Sequence, residues 1–316
     1  MDRREFLKTM VLTTGVPVAH FLAPQPSYAA AAKQQQFRVG HNTTTHLHYE
    51  RSTASFWKGV EELASLGFRG TEADDMIAHL TDTYANRVSE FRQRMAKYRM
   101  EMPALYHSLP VNDASRVKDS IAEGVRVGKF IHDIGGNIFN LAGGTRVPGG
   151  NPTEDFLTLA RLVNDLGERL RDEYGVRLGY HPHMGNMIQG REEIARMMDM
   201  TRPQYFSLCP DAGHLAFAGC DVLEVFRTYR SRIIYMHYKD FDPNLQTPRT
   251  AHTGRRGGFV ELGQGVIDFP ALTKFLIESD YPGWVMIELD PTRTTPLDSA
   301  GKNLEYINNR LKLKVA

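Results

Sequence analysis

Residues 205–240 read YFSLCPDAGHLAFAGCDVLEVFRTYRSRIIYMHYKD. The apolar run Tyr205–Pro210 has strand character, Asp221–Arg230 has helical spacing of apolar residues, and Ile233–His237 is a second apolar strand. Strand, helix and strand in that order make a βαβ unit, whose two strands lie parallel. The same alternation continues in both directions. Towards the N-terminus it gives Val176–His181 with Arg191–Met200, Asn137–Ala142 with Pro152–Tyr174, and Glu101–His107 with Ser115–Ile134. Phe68–Glu72 with Thr81–Arg99 and Phe37–His41 with Ser55–Leu66 precede these, and Gly67 stands where a helix C-cap glycine belongs. Towards the C-terminus a long polar loop leads to helix Phe269–Ser279, strand Trp284–Leu289 and helix Ser299–Leu311. Eight such units within about 275 residues match a closed (β/α)8 TIM barrel over residues 33–316. An open doubly wound sheet would call for a glycine-rich turn after the first strand, and His41-Asn42-Thr43-Thr44 is not one.

Composition narrows the partners. The chain has 316 residues, with 38 Lys plus Arg against 37 Asp plus Glu. This balance gives no electrostatic case for nucleic acid or an anionic membrane surface. Two cysteines, Cys209 and Cys220, rule out a disulfide scaffold and leave open whether they pair. Twelve histidines exceed what packing asks of a chain this size.

The first 32 residues read as an address. Arg3 and Arg4, followed by Phe6-Leu7-Lys8, precede an apolar stretch from Met10 to Ala23 and the small-residue run Ser27 to Ala32. This is the layout of a cleaved secretory signal, and the paired arginines resemble a twin-arginine signal. At about 14 residues the apolar stretch is too short for a membrane span. A mature protein beginning near Ala30 to Lys33, periplasmic or secreted, is expected, with no membrane span. An amphipathic N-terminal helix is the plainer reading of the same residues.

Chemistry gathers at one end of the strands. Glu72, with Asp74 and Asp75 beyond it, closes the second, and His107 the third. His181 and His183 follow the fifth, and Asp211 with His214 the sixth. His237, Lys239 and Asp240 follow the seventh, and Glu288 with Asp290 the eighth. Barrel active sites lie at this end. Converging carboxylates repel one another unless a divalent cation joins them, and a mixed nitrogen and oxygen ligand set without thiolate suits Mn, Co, Zn, Fe or Ni. Each residue has a plainer reading. Asp211 suits a helix N-cap, His237 a core histidine, and Lys239 with Asp240 a surface ion pair. Placement on one face is what joins them.

The segments His181-Pro182-His183-Met184-Gly185 through Gln189, Asp211-Ala212-Gly213-His214, His237-Tyr238-Lys239-Asp240, Gly263-Gln264-Gly265 with Asp268-Phe269, and Gly283-Trp284 to Glu288 resemble the xylose-isomerase-like barrel superfamily. Within it they are most similar to the inosose dehydratases. Gly70-Thr71-Glu72 matches the superfamily's second strand. The resemblance is dense from about residue 176 to 290 and thin before that. It implies one divalent ion, manganese first, held by His181, Asp211, His237 and Glu288. His181 occupies the position of a glutamate that serves the sugar epimerases as one of two opposed bases.

Two outcomes follow from one chemistry. The ion would acidify a C–H beside a carbonyl, and Glu288, or else His183, would remove the proton. Lys239 would stabilise the enediolate, and His214 and Asp240 would bind substrate. Reprotonation makes the protein a sugar or keto-sugar isomerase or epimerase. Loss of a β-hydroxyl, assisted by His107 or Glu72, makes it an inosose-dehydratase-like lyase. A non-catalytic sugar-binding barrel is the reading from another class. A phosphorylated substrate is not expected. Arg249, Arg255 and Arg256 lie in the loop after strand seven, which at around 25 residues is long enough for a lid. Whether the protein forms a homodimer stays open.

Overall fold

The computed structural model describes residues 33–245 and 258–315. Its strands are β1 (Arg38–His41), β2 (Ala104–Leu109), β3 (Ile138–Gly143), β4 (Arg177–Tyr180), β5 (Phe206–Leu208), β6 (Tyr235–Tyr238), β7 (Asp240–Phe241), β8 (Phe259–Val260) and β9 (Trp284–Ile287). Two parallel arcs make up most of the barrel. One runs β2-β3-β4-β5 and the other β1-β9-β6. In the second arc Arg38 lies opposite Trp284, and His237 opposite Met286.

Two seams close the arcs into a ring. On one side, parallel bridges Leu208–Ile233 and Asp211–His237 join β5 to β6. On the other, residues 70–74 run between β1 and β2. Bridges Gly70–Glu101 and Asp74–Tyr106 hold them to β2, and His41 N–H bonds to Gly70 C=O at 3.1 Å on the β1 side. This stretch is the second barrel strand, so eight parallel segments close the (β/α)8 barrel. Its backbone pairs too sparsely for a continuous ladder, and Gly70 shows why the sequence is fixed there. A Cβ on Gly70 would lie 2.0 Å from the Trp284 ring, which fills the barrel floor.

The helices pack outside, each burying one stripe. Helix Thr153–Tyr174 buries Phe156, Leu159, Leu162, Val163, Leu166 and Leu170 at the spacing the sequence predicts. Each such side chain contributes roughly 1.5–3 kcal/mol on full burial. The single helix expected over Thr81–Arg99 is instead three: Asp75–Ala78, Leu80–Tyr84 and Val88–Lys97. His79 adopts φ 53° between the first two, and the Asp75 carboxylate ties back the Thr81 N–H at 2.9 Å and hydroxyl at 2.6 Å. Two short helices, Thr44–Tyr49 and Ala212–Phe217, follow β1 and β5 directly and escaped the sequence reading.

Cys209 and Cys220 are both free thiols. Cys209 is buried beside Tyr235, Trp284 and Met286. Among the described residues no helix is long and apolar enough to cross a membrane. The signal expected over residues 1–32 and the loop arginines Arg249, Arg255 and Arg256 lie outside the described residues. β7 and β8 pair antiparallel at the base of that loop, with Asp242 N–H bonded to Gly258 C=O at 2.7 Å.

Candidate metal centre and active site

Side chains alternate faces along a strand, so residues two apart share one. Four strand ends use this rule in the same way: Glu72 and Asp74, His181 and His183, His237 and Lys239, Glu288 and Asp290. The first member of each pair lies deeper in the barrel and the second nearer the mouth, which gives two layers.

The deep layer centres on His237, which is buried. Its Nε2 meets Glu72 Oε2 at 2.6 Å, and its Nδ1 faces Glu288 Oε2 in contact and Asp211 Oδ2 at 3.6 Å. Asn140 donates to Glu72 Oε1 at 2.9 Å. The His181 ring lies 4.7 Å from that of His237. Asp211 uses its two oxygens differently. Oδ1 caps helix Ala212–Phe217 by accepting His214 N–H at 2.8 Å, while Oδ2 is buried without a hydrogen bond. The capping and ligand readings of Asp211 are therefore compatible.

The outer layer is built around Lys239, which is fully buried. Its Nζ donates to Glu288 Oε1 at 2.9 Å, pairs with Asp290 Oδ2 at 3.2 Å and lies 3.4 Å from His214 Nε2. His183 and His214 face each other with ring centroids 3.9 Å apart. Phe259, brought in by β8, covers Lys239 and His214. His48, on the helix after β1, reaches Asp290 at 3.3 Å.

Burial and charge set the protonation states. Burial, helped by the positive neighbours His237 and Lys239, holds His181 well below the usual histidine range. Burial and Lys239 likewise lower His183. Burial also opposes the charge on His237, but the carboxylates of Glu72 and Glu288 outweigh it and raise that imidazole well above the ordinary value. Burial disfavours the charged Glu288 carboxylate, yet Lys239 and His237 hold it well below the carboxylate range. Asp290 is lowered to about 2 against its burial, chiefly by Lys239 and His48.

The deep layer fits one divalent ion. One ligand atom each from His181, Asp211 and His237 lie within 4.8 Å of one another. His181 Nδ1 and Asp211 Oδ2 are buried without a hydrogen-bond partner among the described residues, and His237 Nδ1 stands against the carboxylates of Glu288 and Asp211. Orphaned buried atoms are costly, and a cation is the partner that satisfies His181 Nδ1 and Asp211 Oδ2 while neutralising the carboxylates gathered at His237. His181, His183 and His214 also bring donors within 4.8 Å. There the buried Lys239 ammonium already stands beside His214, which disfavours a second cation.

The family model described as xylose isomerase-like TIM barrel matches residues 60–310. The chain belongs to this family. Inosose dehydratase from Clostridium botulinum (strain Alaska E43 / Type E3) is 27% identical over 279 residues, covering 82% of this chain and 91% of that protein. Inosose dehydratase from Bacillus cereus (strain AH820) is 28% identical over the same shares. Among solved structures, the probable 3-DHS dehydratase AsbF from Bacillus anthracis superposes with TM-score 0.72 at 14% identity, over 87% of this chain and 100% of that one. IolI protein with a bound zinc atom superposes with TM-score 0.68 at 16% identity, over 87% of this chain and 98% of that one. At these identities the two structures share the family's fold.

Against that family frame, the structure brings Glu72, His181, His183, Asp211, His214, His237, Lys239 and Glu288 into one centre. It moves two expected residues out of it. Asp240 spends both carboxylate oxygens on backbone N–H groups. Its Oδ2 accepts Gly263 N–H and Gly265 N–H, each at 2.9 Å, and its Oδ1 accepts Phe241 N–H at 2.8 Å and Ile267 N–H at 3.3 Å. With both oxygens saturated, Asp240 anchors the Gly263-Gln264-Gly265 turn. Gly263 takes φ +82°, and a Cβ on Gly265 would sit 2.3 Å from Asp240 Oδ1. His107 alternates away from Tyr106, pairs with Asp75 at 3.2 Å and Glu123 at 3.6 Å, and faces the helices. Glu72 spends one oxygen on His237 and the other on Asn140, so it orients the imidazole. Asn140, Tyr106 and His48 went unnoticed in the sequence. Asn140 had a signal, as the one amide inside the apolar run Ile138–Ala142.

Proposed function

We propose that the protein is a divalent-metal-dependent enzyme that labilises the proton beside a carbonyl of a sugar or keto-sugar and isomerises or epimerises it through an enediolate. The observation that carries this is the convergence of buried ligand atoms on His181, Asp211 and His237 within 4.8 Å, those of His181 and Asp211 without a hydrogen-bond partner among the described residues, flanked by Glu288 and by a buried ammonium. His181, Asp211, His237 and Glu288 would hold the ion, with manganese first among Mn, Co, Zn, Fe and Ni. When bound, it supplies Lewis-acid polarisation of a substrate oxygen.

The protein's own groups do the rest. Glu288, paired to Lys239 and His237, is a weak base. His183 is better placed: its Nδ1–H donates to Met184 C=O at 3.0 Å, which leaves Nε2 as the proton acceptor. Lys239 supplies fixed positive charge where the enediolate oxygen develops. Phe259 lies over Lys239 and His214 and shields them from water.

A second reading, dehydration of a keto-inositol or keto-sugar, is favoured by the inosose dehydratase relatives spanning 82% of the chain. Both readings begin with the same proton. The test is solvent deuterium exchange. Protein loaded with Mn²⁺ is incubated with neutral keto-sugars and keto-inositols in D₂O, and chelator should stop the exchange. Exchange without loss of water supports the isomerase reading, and exchange with loss of water the dehydratase. No exchange with any of them would favour a binding barrel without catalysis. We also infer export through the twin-arginine route, on Arg3-Arg4 and the small-residue run before Lys33. Exported protein still beginning at Met1 would contradict it.

A further inference from the structure

Protonating the opposite face of an enediolate, or a departing β-hydroxyl, is work for a second acid–base group beyond the one that took the first proton. In this chain the strand-five position used for that purpose by the epimerases is an imidazole, His181, committed to the deep layer. The geometry assigns the second acid–base role to Asp74, a residue of the outer layer on the second barrel strand.

Four observations place it there. Asp74 lies two residues beyond Glu72, so its side chain shares the inward face and stands one layer nearer the mouth. It bridges in parallel with Tyr106, whose ring packs edge-on against His181 at 5.5 Å. Its Oδ1 caps helix Asp75–Ala78 by accepting Met76 N–H at 2.9 Å, and among the described residues Oδ2 makes no hydrogen bond. By strand order it stands across the barrel from β4 and β5, whose ends carry His183 and His214. Burial and the adjacent Asp75 carboxylate push the Asp74 carboxyl up to about 7, against the pull of Met76 N–H, His107 and His48. A group poised there exchanges protons readily at neutral pH.

This role rests on the proposed enolisation. The C–H electron pair becomes a carbon–carbon double bond as the proton passes to His183 Nε2, and the carbonyl pair moves to its oxygen. Asp74 then delivers its carboxyl proton from the other side of the mouth. On the same carbon from the opposite face, this re-forms the carbonyl and completes epimerisation; on the former carbonyl carbon, with the hydroxyl proton of the first carbon passing to the enolate oxygen, it forms the new carbonyl and completes isomerisation. On a β-hydroxyl, the C–O bond breaks with its pair and the group leaves as water. The proton on His183 returns to Asp74 through solvent, so no oxidant or further reactant is needed.

Asp74→Asn keeps a capping oxygen for Met76 N–H and removes the acid. With full-length, Mn²⁺-loaded protein, D-fructose and a 2-keto-inositol serve as probes. Deuterium entering recovered substrate should stay within about threefold of wild type, while net conversion falls at least about 100-fold and the limb of the rate profile near pH 7 disappears. Asp74→Ser, which also keeps a cap, repeats the measurement should the first variant not fold. Wild-type net conversion in D74N overturns the role of Asp74 and leaves the enolisation standing. Loss of exchange in D74N with its metal retained overturns the division of labour. Wild-type protein that exchanges nothing with either probe overturns the enolisation itself, and this role with it.

Discussion

Replacing Lys239 by Met keeps the length of the side chain and deletes its charge. The ammonium is fully buried and lies 2.9 Å from Glu288 Oε1 and 3.2 Å from Asp290 Oδ2. At an effective dielectric of about 20, those distances correspond to attractions of about 6 and 5 kcal/mol. Desolvation of the three groups offsets much of this, and breaking a buried pair by removing one partner costs about 3–5 kcal/mol net. Chelator-treated K239M should therefore lose about 3–5 kcal/mol of unfolding free energy at pH 7, read from urea titration with an unchanged slope. The pH dependence has a definite sign. Asp290 sits at about 2 in the folded protein, below its ordinary value of roughly 3.9. Its stabilising share is present above the ordinary value and lost as pH falls through the folded one. The gap between wild type and K239M should thus be full above pH 4 and shrink towards pH 2. A gap under about 1 kcal/mol at pH 7, the size of an exposed ion pair, would refute the buried network.

Other outcomes follow from the same contacts. Asp240→Asn should destabilise the protein by about 3 kcal/mol, since charge-assisted bonds from four backbone N–H groups are lost or reversed. Hydrogen exchange at Gly263, Gly265 and Ile267 should quicken, and unchanged protection there would contradict the anchor. His107→Ala should leave turnover within about threefold of wild type while costing about 1–3 kcal/mol, because buried Asp75 loses a partner. A large loss of turnover would return His107 to the chemistry. Because His237 holds a proton between Glu72 and Glu288, metal loading should release protons and weaken as pH falls. A metal affinity flat between pH 5 and 8 would contradict that arrangement.

The barrel was legible because its strands are apolar runs punctuated by charged ends, and period-two and period-3.6 patterns differ plainly along the chain. The second strand was legible by composition although its backbone pairs at only two bridges. The helix after it was misjudged, since the Asp75 carboxylate and the left-handed His79 break a pattern that looks continuous by apolar spacing. For the site, strand ends named the deep layer well, because buried carboxylates and imidazoles have few other reasons to close apolar strands. Asp240 misled for the opposite reason. Its spacing matches the reactive residues, but saturation by four backbone N–H groups is a tertiary fact carried by Gly263 and Gly265, 23 and 25 positions downstream. His107 misled because a strand reading one residue out of phase puts a side chain on the other face. His48 arrives on a short helix that no apolar stripe announces.

A divalent ion seated in the deep layer is the feature on which the chemistry depends. Anomalous diffraction from crystals of Mn²⁺-loaded protein should show a single peak among His181, Asp211, His237 and Glu288, with nitrogen and oxygen ligands within roughly 2.0–2.3 Å. A peak seated instead on His183 and His214, or none among those four residues at saturating metal, would contradict it.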